Sequence, residues 1–141
     1  PEALARAVAL ALTADDAIDE RELGLLDQLD ACARMGLPGW VFEQIAKGLH
    51  GQLQGRFIDK PWLSLADTEL LDELLDPVRS RDKRLLVCRL VAGVITADGE
   101  VCSAERLVYE HMLMRWKFTR AEIAAAIRAM PVPTAAMPLQ G

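Results

Sequence analysis

The feature that most constrains this chain is that its first helical stretch returns, 83 residues later, in the same register. Arg6-Ala7-Val8-Ala9-Leu10-Ala11-Leu12-Thr13-Ala14-Asp15 aligns with Arg89-Leu90-Val91-Ala92-Gly93-Val94-Ile95-Thr96-Ala97-Asp98, and six of the ten positions are identical. The register continues with Ile18 over Val101 and Glu22 over Glu105. After a two-residue slip, Leu37-Pro38 falls on Phe118-Thr119, Phe42 on Ile123 and Lys47 on Arg128. Each unit reads as helix, acidic turn, helix, short turn, helix. Neither unit buries its apolar face well alone, so the two are expected to share one core.

The predicted helices follow from periodicity and punctuation. Leu4, Val8 and Leu12 repeat at i, i+4 over a helix spanning 2–14. Asp19-Glu20-Arg21-Glu22 has the form of a capping box opening a second helix, which runs to the stop at Gly36. Pro38 suits a first turn, and Phe42, Ile45 and Leu49 line one face of a third helix over 39–49. An acidic helix spans 67–75, a long apolar one runs from 80 or 82 to about 97, and another covers 103–117. A last helix opens at Thr119-Arg120-Ala121-Glu122 and ends at Met130. No stretch alternates with period two. The expectation is an all-α bundle of about seven helices in one domain over 1–130. Its units are about 1–49 and 80–130, with an insertion over 50–79 and a Pro-rich tail or linker over 131–141.

At 141 residues, such a domain folds without a disulfide or metal staple. Cys32, Cys88 and Cys102 form no CxxC pair, and Cys88 reads as a small core residue. The net charge of −5 argues against sequence-independent nucleic-acid binding. The longest apolar run, 85–97, is shorter than the ~20 residues of a membrane span. The start lacks the basic and apolar regions of a signal peptide, so a cytoplasmic location is expected.

An apolar helix ending in Ala97-Asp98-Gly99, with Val101 two residues later and Glu105 six after the glycine, resembles the TerB-like family. The resemblance covers most of the chain, because both halves carry a version; in the first, Asp16 stands where the family has glycine. It implies an all-helical bacterial domain associated with tellurite resistance and related stress systems. It also implies metal binding through the matching acids, and a similar fold stands beside J-domains in membrane-anchored co-chaperones.

The acidic turns admit two roles. A complete EF-hand is excluded, because its first and third ligand positions fall on Val94 and Thr96 in one turn and on Ala11 and Thr13 in the other. Facing each other, Asp15, Asp16, Asp19 and Glu22 with Asp98, Glu100 and Glu105 would offer an oxygen-rich site for Ca²⁺ or Mg²⁺. The same acids equally serve as caps for free backbone amides at helix starts. His50 and His111 have no neighbouring ligand or triad pattern, and no P-loop, GxGxxG or GxSxG occurs. The acidic run 67–76 and the basic cluster 79–84 read as opposite charges shielding each other on a solvated face. Trp40 and Trp116 read as caps on the ends of the core. Trp62, beside Phe57 and Ile58 in the irregular insertion, reads either as a surface for docking a protein partner or as packing onto the bundle.

The function expected is therefore a non-catalytic interaction domain in a stress-response system, with a divalent cation as its candidate ligand. The alternatives are an adaptor module of a longer co-chaperone or membrane-associated protein, and a helical enzyme working through paired carboxylates.

Overall fold

The computed structural model describes residues 1–14, 18, 20–98 and 103–128, with the backbone alone at 97 and 98. Among the described residues there are eight helices and no strand. They are α1 (Glu2–Leu12), α2 (Glu20–Gln28), α3 (Ala31–Met35), α4 (Gly39–Leu53), α5 (Leu65–Leu75), α6 (Arg81–Asp98), α7 (Ser103–Trp116) and α8 (Arg120–Arg128).

Two helices form the centre. In α1 every side chain from Ala7 to Leu12 is buried, so the helix is apolar all round and packs against α4, α5, α6 and α7. Its alanines let those neighbours approach closely. Its end is closed by Thr13, whose buried hydroxyl donates to the Ala9 carbonyl at 2.7 Å. The second central helix, α6, packs against α1, α2, α7 and α8 and buries Val87, Cys88, Leu90, Val91 and Val94. Burial pushes the Cys88 thiol up to about 12, which keeps it protonated and inert. A Cβ on Gly93 would stand 2.9 Å from Leu29 Cδ1, so a bare backbone here lets the end of α2 sit close on α6.

The predicted second helix is two helices. Asp30 adopts a left-handed conformation, with φ of 56°, and separates α2 from α3. An aspartate tolerates that geometry better than most residues, and Arg34 Nε donates to the Leu29 carbonyl at 2.9 Å across the break. Leu29, just before the break, packs on α6. The predicted third helix is longer than its pattern: α4 continues through His50 and Gly51 to Leu53. The burial of Leu49 and Leu53 outweighs the ~1 kcal/mol helix cost of a glycine.

The connections α3–α4 and α7–α8 share one geometry. Gly36 (φ 83°) closes α3, with the Leu37 amide on the Cys32 carbonyl and the Gly36 amide on that of Ala33. Lys117 (φ 60°) occupies the equivalent place after α7, with the Phe118 amide on Leu113 and the Lys117 amide on Met114. A lysine there carries the Cβ strain that glycine avoids. Lys117→Gly is therefore expected to stabilise the protein by about 1 kcal/mol, read as a higher urea midpoint at unchanged m-value. The α8 capping box is present as the sequence reads: the Glu122 amide donates to Thr119 Oγ1 at 3.0 Å, and the Thr119 amide to Glu122 Oε1 at 2.9 Å.

The charged blocks of 67–84 do not simply shield each other. Asp72 lies 2.8 Å from Nε2 of the buried His111, and Asp76 receives both Nε and Nη2 of Arg115, so both acids tie α5 to α7. Arg81 reaches Glu122 on α8 and stacks 4.4 Å from the Phe118 ring centre; Arg84 lies over Trp116. Trp116 is buried, in line with its reading as a core cap. Trp40 is not: it is 64% exposed at the start of α4, where its position in the first turn directs it away from the Phe42 face.

Candidate functional site

The segment between α4 and α5 has no regular pattern, yet it is held by one buried carboxylate. Ser64 caps α5: its hydroxyl accepts from the Asp67 amide at 3.1 Å, and the Asp67 carboxylate accepts the Ser64 amide at 3.0 Å. The same carboxylate accepts Arg56 Nε on Oδ1 and Lys60 Nζ on Oδ2, both at 2.6 Å. Asp67 is fully buried, while Arg56 and Lys60 remain partly open to solvent. Burial alone would raise the Asp67 carboxyl. The hydrogen bonds from Lys60, the Ser64 amide and Arg56 outweigh it and hold the group well below the usual carboxylate range. One side chain thus fastens residues 56, 60 and 64 to the first turn of α5.

What this clasp presents is apolar. Gly55 (φ 70°) and Asp59 (φ 58°) turn the chain tightly, and the Ile58 amide closes on the Gly55 carbonyl at 3.0 Å. The turn directs Phe57 inward and Ile58 outward. Phe57 is fully buried, so it belongs to the core and is removed from the expected docking set of Phe57, Ile58 and Trp62. Ile58 is 46% exposed and Trp62 is 72% exposed. Leu65, which sequence reasoning did not single out, is 76% exposed at the first position of α5. The clasp itself had one legible signal, the Ser64-x-x-Asp67 spacing before an apolar run.

The acidic turns are described only in part. Asp15, Asp16, Asp19 and Glu100 lie outside the described residues, and Asp98 is described by its backbone at the end of α6. Glu22 is half-buried in the first turn of α2, and Glu105 is buried in the first turn of α7. Both of these carboxylates are engaged in interactions rather than standing free. Helix α2 packs on α6, and α7 packs on α1, so each acidic turn leads into a helix that crosses to the other central helix. Among the described residues no three His, Cys, Asp or Glu side chains converge as a metal cluster. Among them, too, no helix is long and apolar enough to cross a membrane. Comparison with protein-family models, curated proteins and solved structures gives no match to this chain.

Proposed function

We propose that this chain is a non-catalytic protein-interaction domain of the TerB-like type, working in the cytoplasm within a bacterial stress-response system. The observation that carries the interaction reading is the exposed set Ile58, Trp62 and Leu65 on a connection fastened by a buried carboxylate. Large apolar side chains held in a fixed arrangement cost little further entropy when a partner covers them. Tryptophan is also the residue most enriched at binding hot spots. The shared geometry of the Gly36 and Lys117 turns supports the two-unit reading of the bundle.

The test is capture of partners by the wild-type chain and by the double variant Trp62→Ala with Leu65→Ser. Proteins retained by the wild type are expected to be lost from the variant while its melting temperature stays within about 2 °C. An unchanged retained set overturns the reading.

The cation belongs to the same proposal, through Asp15, Asp16, Asp19, Glu22, Asp98, Glu100 and Glu105. A cation that binds the folded state adds roughly 2.7 kcal/mol at ~100 times Kd, a shift of several degrees for a domain of this size. Ca²⁺ or Mg²⁺ at constant ionic strength is expected to raise the wild-type melting temperature by that amount. Asp98→Asn with Glu105→Gln is expected to remove the response. Equal responses in the two proteins would reduce these acids to helix caps.

A further inference from the structure

Helices α6, α7 and α8 meet around an open cleft of about 220 Å³. Ile95, Ile123 and Ile127 give it an apolar floor, and Ile123 is fully buried. Arg106 and Tyr109 of α7 and Arg120 of α8 also line it, with Thr96 of α6 beside them. Arg120 pairs with the exposed Glu110, whereas Arg106 is exposed and makes no ion pair among the described residues. Among the described residues the lining therefore carries two guanidinium groups and no carboxylate, with Glu110 beside it pairing one of them, in a chain whose net charge is −5. Burial pushes the Tyr109 hydroxyl up to about 12, so it remains a protonated hydrogen-bond donor at neutral pH. The cleft between α2, α3 and α4 is of similar size but has the opposite sign, with Asp27, Asp30 and Glu43 in its lining.

We propose that the α6–α7–α8 cleft binds a small monocarboxylate with a short unbranched apolar tail. The tail lies on the isoleucine floor, and the carboxylate takes Arg106 and, alongside Glu110, Arg120. A guanidinium presents paired donors matched to the two oxygens of a carboxylate, which a point charge does not. With Arg120 already paired to Glu110, a single negative charge also balances the one guanidinium, Arg106, that makes no ion pair among the described residues. The volume falls below the ~300–1,000 Å³ of pockets for drug-sized ligands, which limits the occupant to a short acyl chain. The acidic lining of the cleft between α2, α3 and α4 repels the same molecule. This proposal is independent of the docking surface at Trp62.

The probe is octanoate, titrated below its micellar range into the full chain and followed by amide and methyl chemical shifts. Saturable shifts at Ile95, Tyr109, Ile123 and Ile127 are expected, with little change at Asp27 and Glu43. Arg106→Gln, which leaves the Arg120–Glu110 pair in place, is expected to weaken binding at least fivefold. Adding Arg120→Gln should weaken it tenfold or more. Both side chains are solvent-facing, so an unchanged melting temperature verifies that the variants fold. Octylamine should not bind, and 1-octanol should bind far more weakly. Non-saturable shifts, equal binding by wild type and both variants, or shifts centred on the α2–α4 cleft would each overturn the proposal. So would inorganic phosphate binding as tightly as octanoate, because the apolar floor would then contribute nothing.

Discussion

Phe57→Ala lowers the melting temperature by roughly 10 °C or more, whereas Trp62→Ala, five residues on, leaves it within about 2 °C. The contrast follows from burial. Phe57 is fully enclosed in the common core, and deleting a buried phenyl ring typically costs about 3–5 kcal/mol through lost transfer energy and the cavity left behind. At this chain length each kcal/mol is worth a few degrees. Trp62 is 72% exposed, and truncating a solvent-facing side chain away from any cap or network changes stability by about 0.5 kcal/mol or less. Thermal melts of the two variants check this directly. A loss at Trp62 comparable to that at Phe57 would make the tryptophan part of the fold.

Asp67→Asn is the second large effect, expected at about 2–3 kcal/mol, or roughly 6–10 °C. The amide keeps the shape but loses the charge, and charge-assisted hydrogen bonds are worth about 1.5–3 kcal/mol. Arg56 and Lys60 are partly open to water and recover some solvation, which keeps the loss below that of breaking a fully buried pair. The same carboxylate gives acid sensitivity. Its folded-state value lies below the ordinary 3.8, so the unfolded chain takes up the proton first as pH falls. The stabilisation is complete above about pH 5 and is lost progressively as pH drops below ~4 towards the folded-state value. Asp67→Asn removes that part of the acid limb, so the wild type and the variant converge in stability at low pH. Urea midpoints at pH 7, 4 and 3 measure it. A gap that stays constant over that range would remove Asp67 as the source.

The parts of the fold legible in the sequence are those written in local chemistry. Apolar runs mark α1 and α6, because the central stretches of both helices, 7–12 and 87–95, are largely buried and need little amphipathic patterning. Gly36 and the Thr119–Glu122 box mark ends whose geometry demands those residue types. Lys117 gives no such mark, because its left-handed backbone is imposed by the turn and not by the side chain. The extension of α4 across Gly51 and the break at Asp30 are decided by what packs against them. Tertiary contacts override helix propensity in both places. At the candidate site, the tryptophan and isoleucine are legible as large apolar residues in a polar stretch. The inward turn of Phe57 is not, because neighbouring residues in an irregular segment carry no period. The clasp is half legible: Ser64 and Asp67 stand at capping spacing, while Arg56 and Lys60 join them only through a loop path. The acidic turns show the converse limit, since a cap and a cation ligand call for the same residues at the same spacing.

The central claim is that the connection from Arg56 to Ser64 is a fastened display element, and amide hydrogen exchange tests it most directly. The Ser64 amide donates to the Asp67 carboxylate, and the Ile58 and Asp67 amides are bonded within the same segment. In the wild type these three are expected to exchange far more slowly than free amides. In Asp67→Asn, at a temperature where the bundle stays folded, they should lose at least tenfold protection relative to the amides of α1 and α6. Exchange as fast as a free chain in the wild type, or protection that survives Asp67→Asn unchanged, would contradict the account.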